Sequence, residues 1–209
     1  MNFFAEAMSE RKVPGAEPGN ECAVRCRWVN PENPLYVKYH DEEWGRPVRD
    51  DAGLYEMLVL ESFVAGLSWE CVLNKRAAFR TAFAGFCPEK VAAFGETEVI
   101  SLMATPGIIR HRGKISATIT NTRVFLQIQQ EFGSFGAYVR RFTGNEPLLE
   151  PCTRRASSPL SDAISRDLRR RGMRYMGSVT VYSWLQATGF IQAHEPECFM
   201  AQGPAHGSV

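Results

Sequence analysis

The stretch DDAGLYEMLVLESFVAGLSWECVLNKRAAFRTAF, residues 50–83, constrains the fold more than any other part of the chain. Its apolar residues Leu54, Met57, Leu58, Leu60, Phe63 and Val64 recur at helical spacing and spread over a wide face. Such a helix must be covered from several sides, which requires other helices around it. AGLS interrupts the pattern, and a second helix is expected from Ser68 or Trp69 to Phe83. Further helical patterns lie at Pro88–Phe94, Thr97–Ala104, Lys114–Glu131 and Ser134–Phe142. After a loop over 145–160, two more are expected at Ser161–Arg171 and Gly177–Thr188. Ser161 is the expected N-cap of the first, and Gly172 and Gly189 stand where C-terminal caps belong. No convincing alternating strand is found, so the expectation is an all-α protein.

The ends read differently. Residues 1–21 are rich in Pro, Gly and Glu and have no apolar segment of a secretory signal, so they are expected to be a disordered leader. Residues 22–200 are expected to form one domain, and 201–209 a flexible tail. No run approaches the length of a membrane helix, so no membrane role is expected. The expected compartment is the cytoplasm, with the six cysteines reduced. A net charge of +1 does not announce nucleic-acid binding, so any such function must come from local clusters.

One cluster is chemical. FIQAHEPECFM places His194 and Cys198 four apart, too few ligands for a structural zinc site by themselves. His206 falls in the tail, while Cys71, Cys87 and Cys152 have unpromising neighbours. Cys26 and His40, in the irregular segment 22–49, complete a candidate Cys2His2 set joining the two ends of the chain, with Cys22 as a substitute for Cys26. Buried thiols and hydrogen-bonded histidines without metal are the alternative.

Trp28, Tyr36, Tyr39 and Trp44 crowd the same segment, and Trp69 follows the helix break. These rings belong either to the core or to a platform for a flat ligand such as a nucleobase. Glu61 has apolar neighbours on nearly every side, so it must be solvated on an outer face, paired, protonated or turned to a cavity. In TPGIIRHRGKI, residues 105–115, Arg110, Arg112 and Lys114 surround a glycine-containing turn suited to phosphate. A second basic cluster, 154–174, holds seven arginines against two acids; such charge on a helix surface is commonly only solvation, but two basic patches flanking a candidate aromatic pocket raise DNA or RNA above background.

RCRWV, PLYVKYHDEEWG, AGLSW, GIIRHRGKI and RGMRYMGSVTVYSWLQATGFIQAHEPEC together resemble the 3-methyladenine DNA glycosylase I family, in order from about Ala23 to Phe199. The resemblance implies a helix-hairpin-helix fold from about 50–188 and a structural Zn2+ site from about 22–49 and 189–200. Its ligands carry over onto Cys26, His40, His194 and Cys198, disfavouring Cys22. It implies a base pocket of Glu61, Trp69, Tyr39, Trp28, Tyr36 and Trp44, and a DNA-binding hairpin of Gly107, Arg110, Arg112 and Lys114. The hairpin departs from the usual Gly-x-Gly in having Ile109. Ser62 and Val64 replace the family's usual Gly and Gln beside Glu61, which puts the pocket's shape in question.

The implied activity is hydrolysis of the N-glycosidic bond of 3-methyladenine in alkylated double-stranded DNA by a monomer. The base is expected to flip into the pocket, where Trp69 and Tyr39 sandwich it and an ionised Glu61 selects its positive charge. Leu67 is the expected plug for the vacated stack. With Lys114 in the hairpin, no Schiff-base lysine is expected, so the enzyme should be monofunctional. A zinc-stabilised DNA-binding protein without catalysis and a zinc hydrolase are the competing readings.

Overall fold

A computed structural model describes residues 23–150 and 155–201. The expected leader, the substitute ligand Cys22, Cys152 and nearly all of the expected tail, with His206, lie outside them. Among the described residues the structure is mostly helical, with one minimal two-stranded sheet.

Helix α1, Pro34–Glu42, begins with Pro34 in its first turn, where no helical N–H is lost, and Asn33 caps it by accepting from Leu35 N and Tyr36 N. Helix α2, Asp51–Val64, is the expected apolar helix, capped by Asp50, whose Oδ1 accepts from Gly53 N at 2.8 Å. Leu54, Tyr55, Leu58, Leu60 and Phe63 are fully buried on it. At about 1.5–3 kcal/mol per large buried apolar side chain, this helix anchors the core. Helices α3 to α10 follow as Trp69–Leu73, Arg76–Ala82, Pro88–Ala92, Glu96–Ala104, Arg112–Phe132, Phe135–Thr143, Pro159–Arg170 and Ser178–Ala187. Packed on α2 are α3, α7, α8 and α10.

Four differences from the sequence reading have local causes. The helix expected over 69–83 is broken into α3 and α4 at Asn74 and Lys75. Asn74 Oδ1 is held by Asn33 Nδ2 at 3.0 Å, and Lys75 N reaches back only three residues, to Val72 O. Helix α7 starts at Arg112 because the His111 ring caps it, Nδ1 accepting from Lys114 N at 3.2 Å. The N-cap of α9 is Ser158 rather than Ser161. Pro159 takes the first helical position, and the Ser161 hydroxyl instead accepts from Ser158 N–H at 2.9 Å, completing a capping box. Finally, β1 (Leu148–Leu149) pairs in parallel with β2 (Ile191–Gln192), a ladder too short to show alternation.

Gly189 closes α10 in the left-handed region at φ 74°. A Cβ there would stand 2.5 Å from the main chain of Arg46 and Pro47, so only glycine lets the two ends of the chain meet. Val48 N donates to Thr188 O at the same junction.

Candidate functional site

Nine residues from five parts of the chain line a pocket of about 190 Å³. Tyr36 and Tyr39 come from α1, Glu61 and Val64 from α2, Trp69 from the start of α3, and Ser183 and Gln186 from α10. Trp28 and Trp44 close it from the N-terminal segment. All six expected pocket residues meet here.

Glu61 is 5% exposed. Burial pushes its carboxyl up to about 8, and among the described residues neither a basic side chain nor a hydrogen-bond donor offsets that burial. Beside it the indole Nε1–H of Trp69 is buried without an acceptor among the described residues. A buried acid that accepts no hydrogen bond from the described residues and a buried donor without an acceptor line one cavity, an arrangement a folding core would not select.

Two expectations are corrected. The rings of Tyr39 and Trp69 are 5.0 Å apart and tilted by 44°, so they touch each other. A flat base between them would need roughly 7 Å, two van der Waals gaps, so they form one wall rather than a sandwich. Of the two unusual residues beside Glu61, only Val64 lines the pocket. Ser62 is buried elsewhere, its hydroxyl donating to Val59 O at 2.7 Å. Ser183 and Gln186 were missed in sequence. Their i, i+3 spacing put them on one helix face, but nothing local said which face.

The metal-type residues also come together. Ligand atoms of Cys26, His40, His194 and Cys198 lie within 4.8 Å of one another, and all four residues are buried. Cys198 Sγ is 3.4 Å from His40 Nε2 and 3.6 Å from His194 Nδ1, and Cys26 Sγ is 3.6 Å from the same Nδ1. A tetrahedral zinc with its usual Zn–S and Zn–N lengths would separate sulfur from nitrogen by about 3.6 Å, so the donor set fits that ion. The surroundings set the ligand forms. His40 Nδ1–H donates to Asp41 Oδ1 at 2.7 Å, which turns Nε2 toward the other ligands, and Arg25 holds Asp41 at 2.7 Å. Main-chain N–H groups of Glu195 and Met200 each donate to a cysteine sulfur at 3.4 Å. Trp28 and Trp44 pack edge-on against His40 and His194 at 5.3 and 4.6 Å, so cage and pocket share a wall.

The turn between α6 and α7, residues 105–111, forms the third region. Gly107 has φ 85°, as a tight turn requires, and Ala78 Cβ is 3.0 Å from where a side chain would begin. Arg110 and Arg112 are exposed, and Arg112 pairs with Glu96. Lys114 is not where the sequence reading put it. It is 6% exposed, and its ammonium donates to Phe63 O at 2.8 Å and Ala65 O at 2.7 Å, inside the protein. The third residue of a helix points wherever helix phase dictates, and here that is inward, toward the open C-terminus of α2. Leu67, in the loop after α2, is exposed. Tyr175, unremarked in sequence, sits beside the turn with φ 56° and its ring 6.2 Å from that of His111.

The profile of the methyladenine glycosylase family matches residues 28–201. The DNA-3-methyladenine glycosylase 1 of Escherichia coli strain K12 is 43% identical over 178 residues, 83% of this chain and 95% of that protein. Among solved structures, a crystal structure of 3-methyladenine DNA glycosylase I superimposes with a TM-score of 0.81 at 41% identity, covering 85% of this chain and 99% of the other. The Staphylococcus aureus enzyme, whose structure concerns recognition of 3-methyladenine, gives 0.77 at 36% identity, covering 80% and 91%.

Proposed function

Because the chain belongs to the methyladenine glycosylase family, we propose that it excises 3-methyladenine from alkylated double-stranded DNA. The observation that carries this reading is the pairing, on one small cavity, of a buried Glu61 with the indole N–H of Trp69, neither with a hydrogen-bond partner among the described residues. A purine offers both an acceptor edge and amino hydrogens, and methylation at N3 adds a positive charge while the base is still attached to the sugar.

The turn at 105–111 would grip the DNA backbone as the hairpin of a helix-hairpin-helix unit, with Arg110 and Arg112 beside the phosphates. Leu67 would fill the stack that the flipped base leaves. Extrusion costs a few kcal/mol, least for a damaged base. In the pocket the base lies against the wall of Tyr39 and Trp69, with Trp28, Tyr36 and Trp44 around it. A cation arriving beside Glu61 favours the ionised carboxylate, so base and carboxylate stabilise one another's charge, which neutral adenine cannot do. The C1′–N9 bond then breaks with its electron pair going to the purine, which leaves neutral. Water adds its oxygen to C1′ and loses a proton, and the abasic strand remains intact. The ionised Glu61 carboxylate would also steady the sugar's developing positive charge.

Cys26, His40, His194 and Cys198 would hold one Zn2+, whose chemistry here is cross-linking the two ends of the domain. Four protein ligands leave no coordination position for water, which argues against a zinc hydrolase. The Lys114 ammonium is engaged by two carbonyls, which supports monofunctional rather than Schiff-base chemistry.

The test is chromatographic release of free bases from methylated duplex DNA. Wild type should release 3-methyladenine and leave the strand uncut. Glu61→Gln should lose selectivity for the alkylated base by about 100-fold or more while still binding DNA. Parallel loss of binding and excision would overturn the role of Glu61, and no base release by the wild type would overturn the activity.

A further inference from the structure

Lys114 belongs to the hairpin in sequence but to the protein interior in space, and the reaction as derived gives it no part. Helix α2 ends at Val64 with Ala65 turning out of the helix at φ −46°, ψ 111°, so its last carbonyls lack helical partners. The Lys114 ammonium gathers one of them, Phe63 O, together with the carbonyl of the cap residue Ala65, from 51 and 49 positions away. A cation at a helix C-terminus is favoured by the helix dipole, but here it is supplied by a different helix. The segment it holds leads directly into Gly66 and Leu67, and Ala65 through Ser68 are all exposed, with little packing of their own. Three residues before Lys114 stands His111, the cap of α7, with Arg110 and Arg112 on either side of it.

We propose that Lys114 is a positioning residue that clasps the DNA-gripping hairpin to the loop carrying Leu67, so that backbone grip and base extrusion occur in one fixed register. The proposal rests on the glycosylase reading above. With the clasp present, a hairpin seated on phosphates places Leu67 at a set depth in the duplex. Without it, the hairpin still binds, while the loop lags behind and the base spends less time in the pocket. A misplacement of about 1 Å can cost on the order of 100-fold in rate.

Full-length wild type, Lys114→Met and Lys114→Gln are compared for excision from methylated duplex, duplex affinity across a salt series, and binding of free 3-methyladenine followed by tryptophan fluorescence. Lys114→Met should slow excision from duplex by about 10- to 100-fold while binding free base as the wild type does. Its plot of log affinity against log salt should keep the wild-type slope, because no phosphate contact is lost. Lys114→Gln, which keeps N–H donors for the carbonyls, should recover part of the rate. A slope reduced by about one would make Lys114 a phosphate ligand and overturn the proposal. Unchanged excision, or equal loss of free-base binding, would overturn it too. So would failure of both variants to fold, which would make the residue structural only. If the wild type releases no base, the activity reading fails, and the salt slopes still decide between clasp and phosphate contact.

Discussion

The Cys2His2 cage and the Glu61 pocket share Trp28 and Trp44 as a common wall, yet they treat buried polarity in opposite ways. In the cage three of the four ligands have an orienting partner. His40 is oriented by Asp41, Asp41 by Arg25, and each sulfur by a main-chain N–H, so the four ligand atoms converge on one point. In the pocket Glu61 and the Trp69 indole face a cavity, with no hydrogen-bond partner among the described residues. Saturated buried polarity stabilises one arrangement, whereas unsatisfied buried polarity is strain that only a ligand relieves. The two regions should therefore respond oppositely to loss of a polar group.

The largest effect should come from the cage. Cys198→Ala removes one ligand of the closed set and should abolish stoichiometric metal binding, with loss of several kcal/mol of stability. Metal analysis and a thermal melt by circular dichroism check this. A variant that stays folded at wild-type Tm without metal would break the contrast.

In the pocket the sign should reverse. The folded state raises the Glu61 carboxyl from 4.5 to about 8, so it holds the proton more tightly than the unfolded chain does. That contribution is complete below about pH 4.5 and is lost as pH rises through about 8. Glu61→Gln, permanently neutral, should melt near the wild-type temperature at pH 4. It should become progressively more stable than wild type toward pH 8, by up to a few kcal/mol. A difference in Tm that does not change with pH would mean that Glu61 is not held neutral by burial.

Smaller effects sharpen the boundaries. Arg110→Ala, on the exposed turn, should weaken duplex binding modestly and lower the salt slope by about one, read by fluorescence anisotropy. Ser62→Gly should leave excision within about twofold of wild type, because the Ser62 hydroxyl serves Val59 O and does not face the pocket. Its only measurable consequence should be a stability loss of about 1 kcal/mol from glycine in a helix. A large change in activity would show that Ser62 acts on the pocket through α2.

The sequence alone determined which segments are helical and what chemistry they carry. Helical periodicity, turn residues and the scarcity of histidine and cysteine are local properties, so α2, α7 and the candidate ligands were legible. The six expected pocket residues were legible through motif resemblance, and they do line one cavity. Which way each side chain points was not legible, because helix phase is settled by what packs against the helix. So Lys114 turned inward, Ser62 turned away from the pocket, and Ser183 and Gln186 entered it unannounced. Closeness of the Tyr39 and Trp69 rings was equally invisible, since it depends on how α1 and α3 meet. The unpaired state of Glu61 is likewise a tertiary fact: a carboxylate in an apolar run is costly only when the rest of the fold brings no donor to it.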